Sequence, residues 1–166
     1  MKVLVFSDVH RDKNTLLGIL NHHQDAEYKI SLGDTELKSK FLEAHEIIAI
    51  KGNYPFDAGI ANEHHMKLFG YAFWFVHGHK HNVRSGIERL YEQAMDKHVN
   101  VVLYGHTHVA DCKVIKNIVI ANPGAVNKPR MQTEASYLLL HFEEGKIIMA
   151  WHHAKTHELL NEYIHS

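Results

Sequence analysis

Val3-Leu4-Val5-Phe6-Ser7-Asp8-Val9-His10 decides how the rest of the chain is read. Four apolar residues, two of them Val, stop abruptly at Ser7 and Asp8. The run is shorter than the roughly 7–15 apolar residues of a signal-peptide core, so it reads as a strand. It is apolar throughout rather than alternating, which suits a strand buried on both faces. A strand that ends in Asp-x-His delivers a carboxylate and an imidazole together at its carboxyl end.

The same unit recurs downstream. Tyr28 to Leu32 runs into Gly33-Asp34, and Ile47 to Ile50 into Lys51-Gly52-Asn53. Tyr71 to Val76 runs into His77-Gly78-His79, and Val101 to Tyr104 into Gly105-His106-Thr107-His108. Between these strands lie helical patterns. Leu16, Leu17, Ile19 and Leu20 predict an amphipathic helix starting near Asp12 or Asn14, and Leu37, Phe41 and Leu42 a short one. Ile87, Leu90, Tyr91, Ala94 and Met95 recur at the spacing of a core-facing helix, with Ser85 and Glu88 as its capping box. After Gly105 the chain turns strand-like over Ala110–Ile115, Ile118–Ala121, Ser136–Phe142 and Lys146–Trp151, and Thr156–Ile164 reads as a short helix. The first two-thirds is α/β and the last third mostly β hairpins.

The 166 residues suit one domain, 1–166, at about 150 residues per domain. With 18 Lys+Arg against 19 Asp+Glu, the net charge of −1 argues against a nucleic-acid or anionic-membrane surface as the main business. No apolar stretch approaches the ~18 residues that cross a bilayer. The single Cys, Cys112, forms no internal disulfide, and the expected location is the cytoplasm. No Gly-x-Gly-x-x-Gly follows the first strand, which disfavours dinucleotide-cofactor binding.

Seventeen histidines are several-fold above ordinary usage. Roughly one or two His-x-His triplets would arise by chance at that frequency, so the three present (His77/His79, His79/His81, His106/His108) decide little alone. Order and position decide more. In open α/β sheets the carboxyl ends of the strands line a common crevice. On that layout Asp8, His10, Asp34, Asn53, His77, His106 and His108 converge. Carboxylate, imidazole and amide oxygen without thiolate suit manganese, iron, zinc or cobalt. Seven such ligands are too many for one tetrahedral ion and about right for two, and two-metal centres typically cleave phosphoesters.

Asp8-Val9-His10, Gly33-Asp34, Gly52-Asn53, His77-Gly78-His79 and Gly105-His106-Thr107-His108, taken as an ordered set, resemble the signature of the calcineurin-like metallophosphoesterases. The short chain and Asn122-Pro123-Gly124-Ala125 make it most similar to the small bacterial and archaeal phosphodiesterase branch, the YfcE/YsnB-like proteins. The resemblance implies a four-layer α/β/β/α sandwich with two mixed β-sheets. It implies that Asp8, His10 and His108 hold one metal, that Asn53, His77 and His106 hold a second, and that Asp34 bridges them. A metal-bridging hydroxide would attack a phosphodiester in line. The usual metal would be manganese, with nickel, iron, cobalt or zinc as substitutes.

Two departures bear on chemistry. In much of the superfamily a His that assists the leaving group follows the metal-binding Asn; here Tyr54 follows Asn53. Without that acid, a small phosphodiester with an acidic leaving group is a better substrate than an alkyl phosphomonoester. Arg11 stands where Gly is common after Asp-x-His and could grip a phosphate oxygen. His79 is a further candidate beside the phosphate. The other histidines (22, 23, 45, 64, 65, 98, 141, 152, 153, 157, 165) read as surface composition. Loops 54–63 and 125–135, or a neighbouring subunit, would wall the crevice, which leaves a homodimer open. Two alternatives stand beside the phosphodiesterase: a non-catalytic protein-binding scaffold on the same fold, as in the eukaryotic retromer subunit, and a phosphomonoesterase or nucleotide hydrolase with the same centre.

Overall fold

A computed structural model describes residues Met1–Ser166. Eleven strands form two sheets. Strands β1 (Lys2–Phe6), β2 (Tyr28–Ser31) and β3 (Ile47–Ala49) alternate with helices α1 (Lys13–His22) and α2 (Ser39–Ala44). Then come β4 (Glu63–Leu68), β5 (Tyr71–Val76), a 3₁₀ turn (His79–His81), α3 (Glu88–Asp96), β6 (Val101–Leu103), β7 (Ala110–Ile115) and β8 (Ile118–Pro123). The chain closes with β9 (Ser136–Glu143), β10 (Lys146–His153) and β11 (Leu159–His165).

One sheet runs in the order β11-β10-β9-β1-β2-β3, the other β4-β5-β6-β8-β7. Both are mixed. β1, β2 and β3 pair parallel while β1 and β9 pair antiparallel. β5, β6 and β8 pair parallel, flanked by antiparallel β4 and β7.

Alternation along each central strand explains the layering. Val3 and Val5 join Phe73, Phe75, Val101 and Leu103 in the core between the sheets. Leu4 and Phe6 point the other way and pack on Leu16, Ile19 and Leu20 of α1. Trp74 and Val76 likewise turn outward, onto Leu90 and Ala94 of α3. Each such side chain withdrawn from water contributes about 1.5–3 kcal/mol. The expected α/β/β/α sandwich is therefore the architecture, and the uninterrupted apolar runs are strands covered on both faces.

Local chemistry sets the boundaries. Asp12 caps α1, its carboxylate accepting from Thr15 N (3.1 Å) and Thr15 Oγ1 (2.7 Å). The expected Ser85–Glu88 capping box is not formed. Helix α3 starts after Ile87, and the Ser85 hydroxyl instead donates to Asn82 Oδ1 at 3.2 Å within the preceding turn. The tail expected as a helix is strand β11, because Leu159–His165 completes the edge of the first sheet against β10. Strand β4 was not anticipated: Glu63-His64-His65 carries no apolar alternation, and it pairs as an edge of the second sheet.

One histidine assigned to surface composition is buried. His23 lies at the end of α1, and its Nε2 meets the Tyr137 hydroxyl of β9 at 2.7 Å. Burial, then the neighbouring Lys2 and His22, push its pKa down to about 3, so it stays neutral.

Candidate metal centre

Six of the seven expected ligands sit on the turns just beyond the carboxyl ends of β1, β2, β5 and β6, and Asn53 lies four residues past β3. The turns are stitched together by backbone hydrogen bonds. Asp8 N donates to Gly33 O, His10 N to Asp34 O (3.0 Å each), and Gly105 N to His77 O (2.9 Å). Close packing explains two glycines. A Cβ on Gly33 would collide with the His77 ring, and one on Gly52 with the Asp34 carboxylate. The backbone itself is unusual. Asp8, His10, Asp34, His106 and His108 all have positive φ, between 44° and 69°. Such conformations in non-glycine residues concentrate at functional sites.

The side chains converge as two groups sharing Asp8. In the first, Asp8 Oδ1 lies 3.1 Å from His108 Nε2 and 3.5 Å from His10 Nε2, and those two nitrogens are 3.1 Å apart. In the second, His77 Nε2 lies 3.0 Å from Asn53 Oδ1, 3.4 Å from Asp34 Oδ2 and 4.0 Å from Asp8 Oδ1. His106 Nδ1 is 3.0 Å from the same Asn53 oxygen.

The far side of each ring fixes its tautomer. His108 Nδ1 lies 2.7 Å from Lys128 O, and His77 Nδ1 lies 2.7 Å from Leu32 O. A carbonyl only accepts, so both Nδ1 atoms carry the proton. His10 Nδ1 meets the Glu36 carboxylate at 2.7 Å with the same consequence. With Nδ1 so occupied, each ring in its neutral form aims a bare Nε2 lone pair inward, at carboxylate and amide oxygens. Asp8 Oδ1, fully buried, has no hydrogen-bond partner. Lone pairs facing lone pairs at 3.0–3.5 Å need a cation between them. The donor set thus fits divalent metal ions in two places, as the groupings Asp8–His10–His108 and Asp8–Asp34–His77 also indicate.

Ionisation points the same way. Burial alone would raise the Asp8 carboxyl, but His10 and His108 outweigh it and hold it well below the usual range. His10 is raised, chiefly by Asp8, and His77 is raised because Asp34 and Asp8 overcome its burial. In the metal-free protein, protons compete for the place of positive charge. His106 differs: burial, then His77 and Arg84, push it down to about 4.

His79 and Arg11 stand at the rim. The His79 ring centroid is 5.4 Å from His77 and 6.2 Å from His106. Burial and His77 lower its pKa, and its Nδ1 is buried without a partner. Arg11 is exposed; its Nε meets Glu36 Oε2 at 3.0 Å and its Nη2 donates to Tyr54 OH at 3.4 Å. Tyr54 N donates to Asp34 Oδ1 at 2.9 Å.

Sequence reasoning missed Glu36, which joins His10 to Arg11. Such outer partners typically shift metal affinity 10–100-fold. Glu36→Gln is accordingly expected to weaken one metal equivalent by about tenfold or more while the other is retained, read by calorimetric metal titration.

Residues 1–145 match the model of the calcineurin-like phosphoesterase superfamily domain. The chain belongs to that family. The probable metallophosphoesterase YsnB of Bacillus subtilis (strain 168) is 26% identical over 160 residues, spanning 96% of this chain and 95% of the relative. A conserved uncharacterized protein of Streptococcus pneumoniae TIGR4, described as a predicted phosphoesterase, superposes with a TM-score of 0.88 at 23% identity, over 99% of this chain and 97% of that one. Wild-type Vps29 from Entamoeba histolytica, in a structure with Zn²⁺, superposes with a TM-score of 0.81 at 19% identity over 99% of each chain. Family membership supports a metal-dependent phosphoesterase. No helix of this family member is long and apolar enough to cross a membrane.

Proposed function

We propose that this calcineurin-like protein is a dinuclear metal-dependent phosphodiesterase acting on a small phosphodiester in the cytoplasm. The observation that carries the reading is the pair of inward-facing lone-pair clusters around the unpartnered Asp8 Oδ1. Asp8, His10 and His108 would hold one ion, Asn53, His77 and His106 the other, with Asp34 shared between them. Manganese is the first candidate, with nickel, iron, cobalt or zinc able to replace it. When bound, such ions neutralise charge on phosphoryl oxygens and acidify a bound water.

The protein's own groups do the rest. Glu36, Leu32 O and Lys128 O hold three imidazoles in the tautomer that keeps Nε2 free. Neutral His79 would orient a phosphate oxygen or a proton beside the centre. Arg11, anchored by Glu36, would grip a phosphate oxygen from the rim. No imidazole follows Asn53, so a leaving group must depart with little help from an acid.

The test counts metal and compares leaving groups. Stripped protein should take up two equivalents of Mn²⁺. The loaded protein should cleave bis(p-nitrophenyl) phosphate at least about a hundredfold faster than an alkyl phosphomonoester. Uptake of one equivalent would overturn the dinuclear centre, and a preference for the monoester would overturn the diester. The scaffold alternative is weaker because every ligand position holds a competent donor.

A further inference from the structure

A cavity of about 450 Å³ opens beside the His106-Thr107-His108 turn, and Thr107 forms part of its wall. That volume is in the range of small-molecule sites. Its floor is apolar: Ile87 and Tyr104 are buried there. Its sides carry three cations, Arg84, Lys113 and Arg130, against one acid, Asp111. Lys113 pairs with Asp111 at 3.7 Å. Arg84 and Arg130 have no such partner, so two unpaired guanidinium groups face the cavity in a chain whose net charge is −1.

The cavity is joined to the metal centre by backbone. Arg130 N donates to His108 O at 3.1 Å, and Lys128 O two residues earlier accepts from His108 Nδ1. On the other wall, Arg84 belongs to the segment Val83–Ile87, which follows the 3₁₀ turn His79–His81 at the rim of the centre. A substrate arm leaving the centre past Thr107 therefore enters a space with an apolar floor and two free guanidinium forks. Guanidinium is the side-chain group best matched to a phosphate, which it binds through two parallel hydrogen bonds.

We propose that this cavity binds a second phosphate carried on one arm of the substrate, so that the substrate class is an organic phosphodiester bearing an additional phosphate group. The inference deepens the phosphodiesterase reading and rests on it for the position of the reacting phosphate. The organic part of the arm lies over Ile87 and Tyr104, and Arg84 and Arg130 close on the distal phosphate.

Product-like probes test this without requiring turnover. Binding of thymidine 3′,5′-bisphosphate and thymidine 5′-monophosphate to manganese-loaded protein is compared by calorimetry, in the wild type and in the double variant Arg84→Ala/Arg130→Ala. Both arginines are exposed, so the variant keeps its core. The wild type should bind the bisphosphate about tenfold or more tightly than the monophosphate, and in the variant that ratio should fall to near one. A ratio near one in the wild type, or a preference that survives in the variant, overturns the proposal. A protein that hydrolyses no ester yet shows the ratio would sink the catalytic reading and keep the cavity assignment. An active hydrolase without the ratio would do the reverse.

Discussion

Asp34→Ala is expected to lower turnover of an activated phosphodiester by roughly a thousandfold or more, since charge stabilisation by a metal pair is worth several kcal/mol and each 1.36 kcal/mol is tenfold in rate. The carboxylate belongs to the second lone-pair cluster, which shares Asp8 with the first, with Oδ2 facing His77 and Oδ1 held by Tyr54 N. In the proposed bridging role, its removal would deprive both ions of a shared anion. The fold should survive. The Asp34 backbone carbonyl that receives His10 N is kept, and the side chain gives up one hydrogen bond from a main-chain amide, worth about 1 kcal/mol. His106→Ala should act similarly through the second cluster. Steady-state rates paired with circular dichroism check both variants; retention of most activity in either counts against its assignment.

Metal removal should have an effect of the same order. Protein treated with chelator should lose hydrolysis of the aryl diester, and Mn²⁺ should restore it; equal rates in chelator would sink the reading. The restoration should depend on pH with a definite sign. Metal binds neutral imidazole, so protons compete with it. His10 and His77 have raised pKa values in the metal-free protein, so they hold protons at a higher pH than free histidine does. Apparent metal affinity should therefore begin to fall at a higher pH than the ~6.5 of free histidine would set, by up to about tenfold per pH unit for each proton displaced. His106, at about 4, sets no limit in that range.

The convergence of the proposed ligands was legible because each is a local signal: a short apolar run broken by Asp, Asn or His at a turn. Asp8, Asp34 and His77 needed only the assumption that strand ends share a crevice. What supports them was not legible. Glu36 is one acid in a polar stretch, and only the folded chain puts it 2.7 Å from His10 Nδ1. His23 looked like any other histidine because its partner, Tyr137, is 114 residues away. The tail misled for another reason. Leu159, Leu160, Tyr163 and Ile164 recur at helical spacing, but the free edge of β10 offered a ladder of main-chain partners to that segment. Local pattern yielded there to tertiary pairing.

The proposed ligands are divided between the two halves of the sandwich. Asp8, His10, Asp34 and Asn53 follow strands of one sheet; His77, His106 and His108 follow strands of the other. An occupied centre is then a rivet through both leaves of the fold. Heating should prise the leaves apart at a higher temperature in loaded protein than in stripped protein, and the melting curve would serve as a gauge of metal supply, whatever the substrate proves to be.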